Sequence, residues 1–242
     1  GGNVSEATQG HYAHTKEVAL LQGAQKGRRI KVVMLGAGSG FTEPLMTDIL
    51  NIPALDGGEL ALVDIDTERL ELAHQLIEKI VDIMGKRGSW TVTATTDRRQ
   101  ALPGADYIVN CIEVSGIEAV RYDYEIPLKY GVDQCIGDTV GPGGLMKGLR
   151  TIPVWVDVLK DAEELCPKAL VLNYTNPMGM MCLAASLTSS MQVIGLCHSV
   201  QATSHLLAKY AEVPYSEMQW KCAGINHLAW FTELTHEGRD LY

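Results

Sequence analysis

The clearest apolar run in the chain is Ile30–Leu35, in which all but one residue are hydrophobic and three are β-branched. A short run of this kind is typical of a strand buried on both faces of a parallel sheet. The glycine-rich stretch 36–40 follows directly, and residues 41–50 have helical character. A strand, a glycine turn and a helix in this order predict a loop that binds the phosphates of a dinucleotide.

The alternation of apolar runs continues along most of the chain. Further strands are predicted at 59–65, 90–95, 105–112, 169–173 and 192–197, and helices at 67–84, 144–165 and 177–189. This order predicts an α/β fold with a doubly wound parallel sheet and right-handed crossovers, the Rossmann architecture. Residues 115–143 are expected to form a long loop at the ligand edge of the sheet.

The pattern divides the chain into three parts. Residues 1–29 are polar and are predicted to be a tail or the remnant of an expression tag. Residues 30–200 are predicted to be the NAD-binding domain. The runs at 220–225 and 227–235 read as antiparallel strands, so residues 201–242 are predicted to begin an incomplete, mixed α+β substrate domain.

Composition narrows the class of protein. Of 242 residues, 46% are hydrophobic and 20% charged, which is ordinary for a globular protein. The net charge of −9 argues against a nucleic-acid or anionic-membrane surface. Six cysteines occur without C-x-x-C pairs, which is typical of a reducing compartment. With no apolar run of membrane-spanning length and no signal sequence, a cytoplasmic protein is expected.

The glycine loop has a specific chemistry. Gly36 permits the tight turn, and Gly38 lets a pyrophosphate approach the backbone, although Phe41 stands where a third glycine is usual. Asp64 ends the second predicted strand, where a carboxylate binds the ribose 2′-hydroxyl and repels a 2′-phosphate, so NAD is favoured over NADP. The alternatives are an ordinary turn and, for Asp64 and Asp66, a capping role before the next helix.

Polar residues also follow the later strands. Asn176 precedes a proline, which holds it out of the helical region, so its amide is available either to a ligand or as a helix cap. Cys197 and His198 leave the sixth strand, and His227 follows 30 residues after Cys197. Thiolate and imidazole suit a transition metal, but the sequence alone favours a buried structural cysteine and a surface histidine, because cysteine is commonly a small core residue.

Several segments, taken in order, carry a family resemblance. The stretches GAGS, LVDID, IGDTVGPGG, NYTNPMG, GLCHSVQAT and GINHLAWF together resemble glycoside hydrolase family 4, the NAD- and metal-dependent glycosidases. CHSVQ and DTVGPGG are most similar to the α-galactosidase members. Phospho-glycosidase members usually carry aspartate after the metal-binding cysteine, whereas this chain has His198, so the resemblance implies a non-phosphorylated α-galactoside as substrate.

The resemblance implies a role for individual residues. It implies Cys197 and His227 as ligands of Mn²⁺ or another divalent metal, and Asn176 as a substrate-binding residue. It implies the cofactor-binding positions Gly36, Gly38, Ser39 and Asp64. Asp138 and His198 fall where the family has polar substrate-contacting groups, and His198 is the expected proton donor to the leaving group.

The implied mechanism is an exception to the usual two-carboxylate glycosidase. Hydride passes from C3 of the sugar to NAD⁺, the C2 proton becomes acidic, the C1 substituent is eliminated, water adds, and the hydride returns. Members of the family are nearly twice as long as this chain, and the resemblance implies that the protein forms homo-oligomers. We therefore expect NAD and metal binding from residues 1–242 but weak or no hydrolysis.

Two other functions fit parts of the pattern. A lactate/malate-type dehydrogenase shares the fold, the Asn-Pro after strand five and a histidine near position 227. Its Leu-Asp-x-x-Arg signature is missing around residues 195–209. A non-catalytic NAD-binding protein is the alternative from another class.

Overall fold

A computed structural model describes residues 27–134 and 137–242. These residues fall into two compact units, 27–196 and 197–242. The predicted tail lies outside the described residues up to position 26, and its last two residues belong to the first strand. No helix within the described ranges is both long and apolar enough to cross a membrane.

The first unit is built on a parallel sheet of six strands. In chain order the strands are β1 (Arg28–Leu35), β2 (Leu55–Val63), β3 (Trp90–Thr95), β4 (Tyr107–Asn110), β5 (Leu170–Asn173) and β6 (Gln192–Gly195). Their order across the sheet is β3-β2-β1-β4-β5-β6, with every neighbouring pair parallel. This is the doubly wound dinucleotide-binding order, and it confirms the predicted fold class.

Helices connect the strands of this sheet. They are α1 (Thr42–Leu50), α2 (Thr67–Ile83), α3 (Arg98–Ala101), α4 (Gly116–Lys129), α5 (Gly141–Leu165) and α6 (Met178–Thr188). Helix α4 corrects the sequence interpretation, which treated residues 115–143 as one long loop. Its apolar side chains, including Ile117, Tyr122 and Leu128, are exposed, so they do not mark a buried stripe of helical period.

The core explains why β1 is so apolar. Val33 and Leu35 pack into a cluster with Trp155 of α5, whereas Val32 and Met34 belong to a second cluster that includes side chains of α1 and α2. Because successive side chains of a strand point to opposite faces, β1 is buried on both faces of the sheet. The central strand therefore holds the glycine loop on a rigid support.

Residues 197–242 form an α-helix, a short 3₁₀ helix (Tyr215–Glu217) and a small antiparallel sheet. Helix α7 spans Ser199–Tyr210, and the strands are β7 (Met218–Ile225), β8 (Leu228–His236) and β9 (Arg239–Asp240). A two-residue turn joins β7 to β8, with Ile225 paired to Leu228. Ala208, Met218 and Leu234 form its buried core.

Candidate active site

The glycine loop after β1 is packed tightly against two neighbouring segments. Gly36 has a φ of +78°, and a Cβ there would lie 2.5 Å from the carbonyl oxygen of Cys111. The N–H groups of Gly36 and Ala37 both donate to the carbonyl of Val63, at 2.9 and 3.0 Å. Only glycine combines this backbone conformation with this close approach, so Gly36 is required by the turn.

Gly38 and Asp64 form one hydrogen-bonded unit. The N–H of Gly38 donates to Asp64 Oδ2 at 2.7 Å, and the N–H of Asp66 donates to Asp64 Oδ1 at 2.9 Å. A Cβ on Gly38 would lie 2.7 Å from Cβ of Arg69 and 3.0 Å from Asp64 Oδ2. Each carboxylate oxygen keeps acceptor capacity beyond the bond it makes, so Asp64 can still accept a bond from a ribose hydroxyl.

Asp66, the other acidic residue, has the capping role. Its side chain accepts hydrogen bonds from the N–H groups of Glu68 and Arg69, at 3.0 and 3.1 Å, at the N-terminus of α2. The sequence left open whether Asp64 and Asp66 bind the cofactor or only cap the helix, and the structure gives them different contacts. Asp66 caps the helix, and Asp64 binds the glycine loop.

The rest of the loop is open on one side. A Cβ on Gly40 would meet no protein atom within 4 Å. Ser39 Oγ accepts a hydrogen bond from the N–H of Phe41 at 3.2 Å. The ring of Phe41, which stands at the third glycine position, stacks on Tyr174 with centroids 5.8 Å apart. The tight packing at Gly36 and Gly38 and the free space at Gly40 fit a loop that receives a pyrophosphate.

The ends of β4 and β5 are joined by buried amides. Asn110 Nδ2 donates to Asn173 Oδ1 at 2.8 Å and to Thr175 Oγ1 at 3.2 Å, and all three residues are buried. Next along the chain, Asn176 Oδ1 accepts a hydrogen bond from the N–H of Met178 at 3.3 Å. Asn176 thus accepts the first N–H of α6 through its amide oxygen, and its role in substrate binding stays a prediction.

Asp138 lies in a charged cluster that the sequence did not predict. Lys147 Nζ on α5 is 2.7 Å from Glu113 Oε2 and 3.6 Å from Asp138 Oδ2. The hydroxyl of Thr139 donates to Asp138 Oδ1 at 3.2 Å. Glu113 follows β4, where residues that face a ligand are expected, so its position in the sequence was a usable signal. The burial of Lys147 was not visible in the sequence.

Within the second unit, Cys197 and His227 are in contact. Cys197 Sγ lies 3.4 Å from His227 Nε2 and 3.2 Å from Ser199 Oγ, and it accepts a hydrogen bond from the N–H of Ser199 at 3.4 Å. Ser199 is the first residue of α7, where backbone N–H groups stabilise negative charge on a thiolate. Ser199 was quoted in the sequence pattern but not identified as a contact of Cys197.

A tight turn holds the imidazole. His227 was predicted at the start of a strand, but it lies in the turn between β7 and β8 with a φ of +60°. This region is uncommon for residues other than glycine, and histidine is among the residues that enter it most readily. The turn aims His227 at a cysteine 30 positions earlier in the chain.

The spacing of these two atoms fits metal ligation. With the bond lengths of zinc sites, about 2.3 Å to sulfur and about 2.0 Å to imidazole nitrogen, two adjacent ligands lie about 3.1–3.6 Å apart, which includes the observed 3.4 Å. Residues 27–134 and 137–242 contain no group of three or more His, Cys, Asp or Glu side chains that could hold a metal ion. Within these described residues, Cys197 and His227 would therefore be two ligands of an ion rather than a complete set.

Comparison with known proteins assigns the family. The model of the family 4 glycosyl hydrolases matches residues 31–213. This chain belongs to glycosyl hydrolase family 4. It is 44% identical to an alpha-galactosidase of Rhizobium meliloti over 213 residues, covering 87% of this chain and 43% of the relative. It is 42% identical to an alpha-galactosidase of Bacillus subtilis, covering 88% and 49%.

Two solved structures are similar to this chain, one a glucosidase and the other a dehydrogenase that shares only the fold. The 6-phospho-beta glucosidase of Thermotoga maritima, solved with manganese, NAD⁺ and glucose-6-phosphate, has a TM-score of 0.75 and 25% identity, covering 88% of this chain and 51% of its own. Malate dehydrogenase of Plasmodium falciparum, at 15% identity and a TM-score of 0.63, shares the fold, covering 88% of this chain and 60% of its own. The family 4 chain spans about half the length of the curated relatives it matches.

His198 directly follows Cys197 in the sequence. It is the N-cap residue of α7, its side chain is exposed, and its carbonyl accepts a hydrogen bond from the N–H of Ala202 at 2.9 Å. Its role as a proton donor stays a prediction, as do the roles of Asp138 and of the two metal ligands.

Proposed function

We propose that this chain binds NAD and a divalent metal, and supports the cleavage of non-phosphorylated α-galactosides. The observation that carries the proposal is the 3.4 Å approach of Cys197 Sγ to His227 Nε2 in a member of family 4. Two relatives above 40% identity are named alpha-galactosidases. A structural relative was solved with NAD⁺ and manganese, the cofactors proposed here.

Each residue has a task in this proposal. Gly36, Gly38 and Ser39 shape the loop for the pyrophosphate, and Asp64 both fixes that loop and accepts a ribose hydroxyl. Cys197 and His227 hold the metal, which suits thiolate and imidazole donors. Asn176 binds sugar hydroxyls, Asp138 accepts a hydrogen bond from the sugar, and His198 supplies the proton to the leaving oxygen.

The cofactors supply what these side chains lack. When bound, NAD⁺ takes up and returns a hydride at the sugar and the metal acts as a Lewis acid toward its oxygens. The protein groups orient the sugar and handle protons. Because family 4 membership is shown and the dehydrogenase likeness is one of fold alone, a net dehydrogenase reaction is not favoured.

Manganese binding is the direct test of the metal site. Under reducing conditions, free Mn²⁺ measured by electron paramagnetic resonance should fall when the wild-type chain is added. The Cys197→Ser and His227→Asn variants should lose this binding. Asparagine is chosen at 227 because it tolerates the positive φ, so the change removes the imidazole without straining the turn.

Two variants serve as matched controls in the same unit. Cys222→Ser removes a thiol from β7, and His236→Asn removes an imidazole that contacts Glu217 at 2.9 Å. Both should bind Mn²⁺ as the wild type does. Equal binding by the Cys197→Ser variant and the wild type would contradict the ligand assignment.

The substrate is tested separately. With NAD⁺, Mn²⁺ and a reductant present, methyl α-galactoside should bind more tightly than its 6-phosphate in calorimetric titrations. Nitrophenyl α-galactoside hydrolysis, where it is measurable, should require both cofactors. Preference for the 6-phosphate, or hydrolysis that persists without NAD⁺, would refute the proposed substrate or mechanism.

A further inference from the structure

Lys147 is a buried cation at the ligand edge of the first unit. It is 4% exposed, and its ammonium lies 2.7 Å from Glu113 Oε2 and 3.6 Å from Asp138 Oδ2. A buried ammonium is costly unless it is paired with an opposite charge. The pairing here uses two carboxylates from two separate segments, one after β4 and one before α5.

The ammonium brings these carboxylates close to one another. Since Nζ is 2.7 Å from one oxygen and 3.6 Å from the other, those two oxygens are at most the sum of these distances apart, 6.3 Å. The side chains of Glu113 and Asp138 are 42% and 23% exposed, so both remain open to a ligand in part. Without the cation between them, two carboxylates at this spacing would repel each other.

A separate ion pair connects the two surrounding helices, α4 and α5. Arg150, three residues after Lys147 on α5, donates to both carboxylate oxygens of Asp123 on α4, at 2.9 and 2.6 Å. Asp123 is 4% exposed. Gln134 adds bonds to the carbonyl of Asp123 and from the N–H of Gly143, at 2.9 and 3.0 Å. Lys147 is thus directed at the edge of the sheet, while Arg150 joins the two helices.

We propose that Lys147 is a positioning residue that fixes Glu113 and Asp138 as two hydrogen-bond acceptors for the hydroxyls of a neutral sugar. This inference rests on the proposed function. Ionised carboxylates make short, strong hydrogen bonds to hydroxyl donors. The five charged side chains Glu113, Asp123, Asp138, Lys147 and Arg150 sum to −1, which favours a neutral sugar over an anionic one.

The test compares four proteins: the wild type, Lys147→Met, Lys147→Arg and Lys160→Met. The methionine removes the charge and keeps an unbranched side chain, and the arginine restores a cation. Lys160 is the matched control because it lies on the same helix with its side chain 66% exposed. Three quantities are measured: hydrogen exchange of residues 137–143, NAD⁺ affinity, and methyl α-galactoside affinity with NAD⁺ and Mn²⁺ present.

In the Lys147→Met variant, exchange of residues 137–143 should be faster and galactoside affinity should fall at least about tenfold, since charged hydrogen bonds are lost. NAD⁺ affinity should stay within about twofold of the wild type, because the glycine loop is unchanged. Lys147→Arg should recover most of both losses, and Lys160→Met should match the wild type.

Several results would overturn the inference. Unchanged exchange in Lys147→Met means that Lys147 does not hold Asp138, and equal losses of NAD⁺ and galactoside affinity mean that its role is only structural. If the wild type binds NAD⁺ but no galactoside, the proposed function fails. The sugar part of the inference then falls with it, while the exchange result still decides whether Lys147 fixes the carboxylates.

Discussion

Alanine at each of three loop glycines should have a different effect, and Gly38 is the most informative position. Its φ is not positive, so alanine there introduces no backbone strain of the left-handed kind. The added Cβ would instead lie 2.7 Å from Arg69 Cβ and 3.0 Å from Asp64 Oδ2. To relieve this contact the loop must move away from α2, which breaks the 2.7 Å bond from Gly38 to Asp64.

The size of the effect follows from that bond. A hydrogen bond to a charged group contributes about 1.5–3 kcal/mol. If this cost falls on the loop conformation that binds the cofactor, the Kd for NAD⁺ should rise roughly 10- to 150-fold. Titration calorimetry with NAD⁺ measures this directly, and thermal unfolding of the same samples reports any loss of stability.

The neighbouring glycines provide the controls. Gly36→Ala combines a positive φ with a 2.5 Å contact to the backbone of Cys111, so the melting temperature itself should fall by about 4 °C or more. Gly40→Ala meets open space and should leave stability unchanged, with a smaller effect on NAD⁺ than Gly38→Ala. The reasoning is refuted if Gly38→Ala binds NAD⁺ like the wild type, or if Gly40→Ala is as destabilising as Gly36→Ala.

Two further predictions concern the buried charge and a thiol. Asp123→Asn breaks the buried pair with Arg150, which should destabilise the fold by about 3 kcal/mol or more in urea unfolding, whereas Asp157→Asn, at an exposed pair, should cost less than about 1 kcal/mol. Burial raises the pKa of Cys111 to about 12, so its thiolate is scarce below that pH. Mass spectrometry after iodoacetamide treatment at pH 8 should therefore find Cys111 unmodified in the folded protein and modified in urea, and rapid labelling of the folded protein would contradict the raised pKa of this partly buried thiol.

The fold could be predicted where burial leaves a periodic mark in the sequence. Strand β1 is buried on both faces, so its apolar run and the following glycines identified it without ambiguity. Helix α4 could not be found in this way. Its large apolar residues Ile117, Tyr122 and Leu128 face outward, and Gly116 and Pro127 within it are typical helix breakers.

The candidate site was predictable in part. The family resemblance implied Cys197 and His227 as ligands of one metal, which thiol and imidazole chemistry alone did not decide, but the sequence pattern placed His227 in a strand and not in the two-residue turn that holds it. Lys147 shows the opposite case. A lysine on a helix is usually solvated, and only the fold shows that this one is enclosed between two carboxylates.

The Asp64–Gly38 bond changes how the dinucleotide motif should be understood in this protein. The glycine and the acidic residue are commonly assigned to separate tasks, one to the pyrophosphate and one to the ribose. Here the carboxylate that would accept the ribose hydroxyl also accepts the N–H of the glycine that would face the pyrophosphate. Because each oxygen of Asp64 already accepts one backbone N–H, the carboxylate is fixed in orientation before any ligand arrives. Such preorganisation lowers the entropic cost of binding, so the unusual third position at Phe41 need not weaken the site.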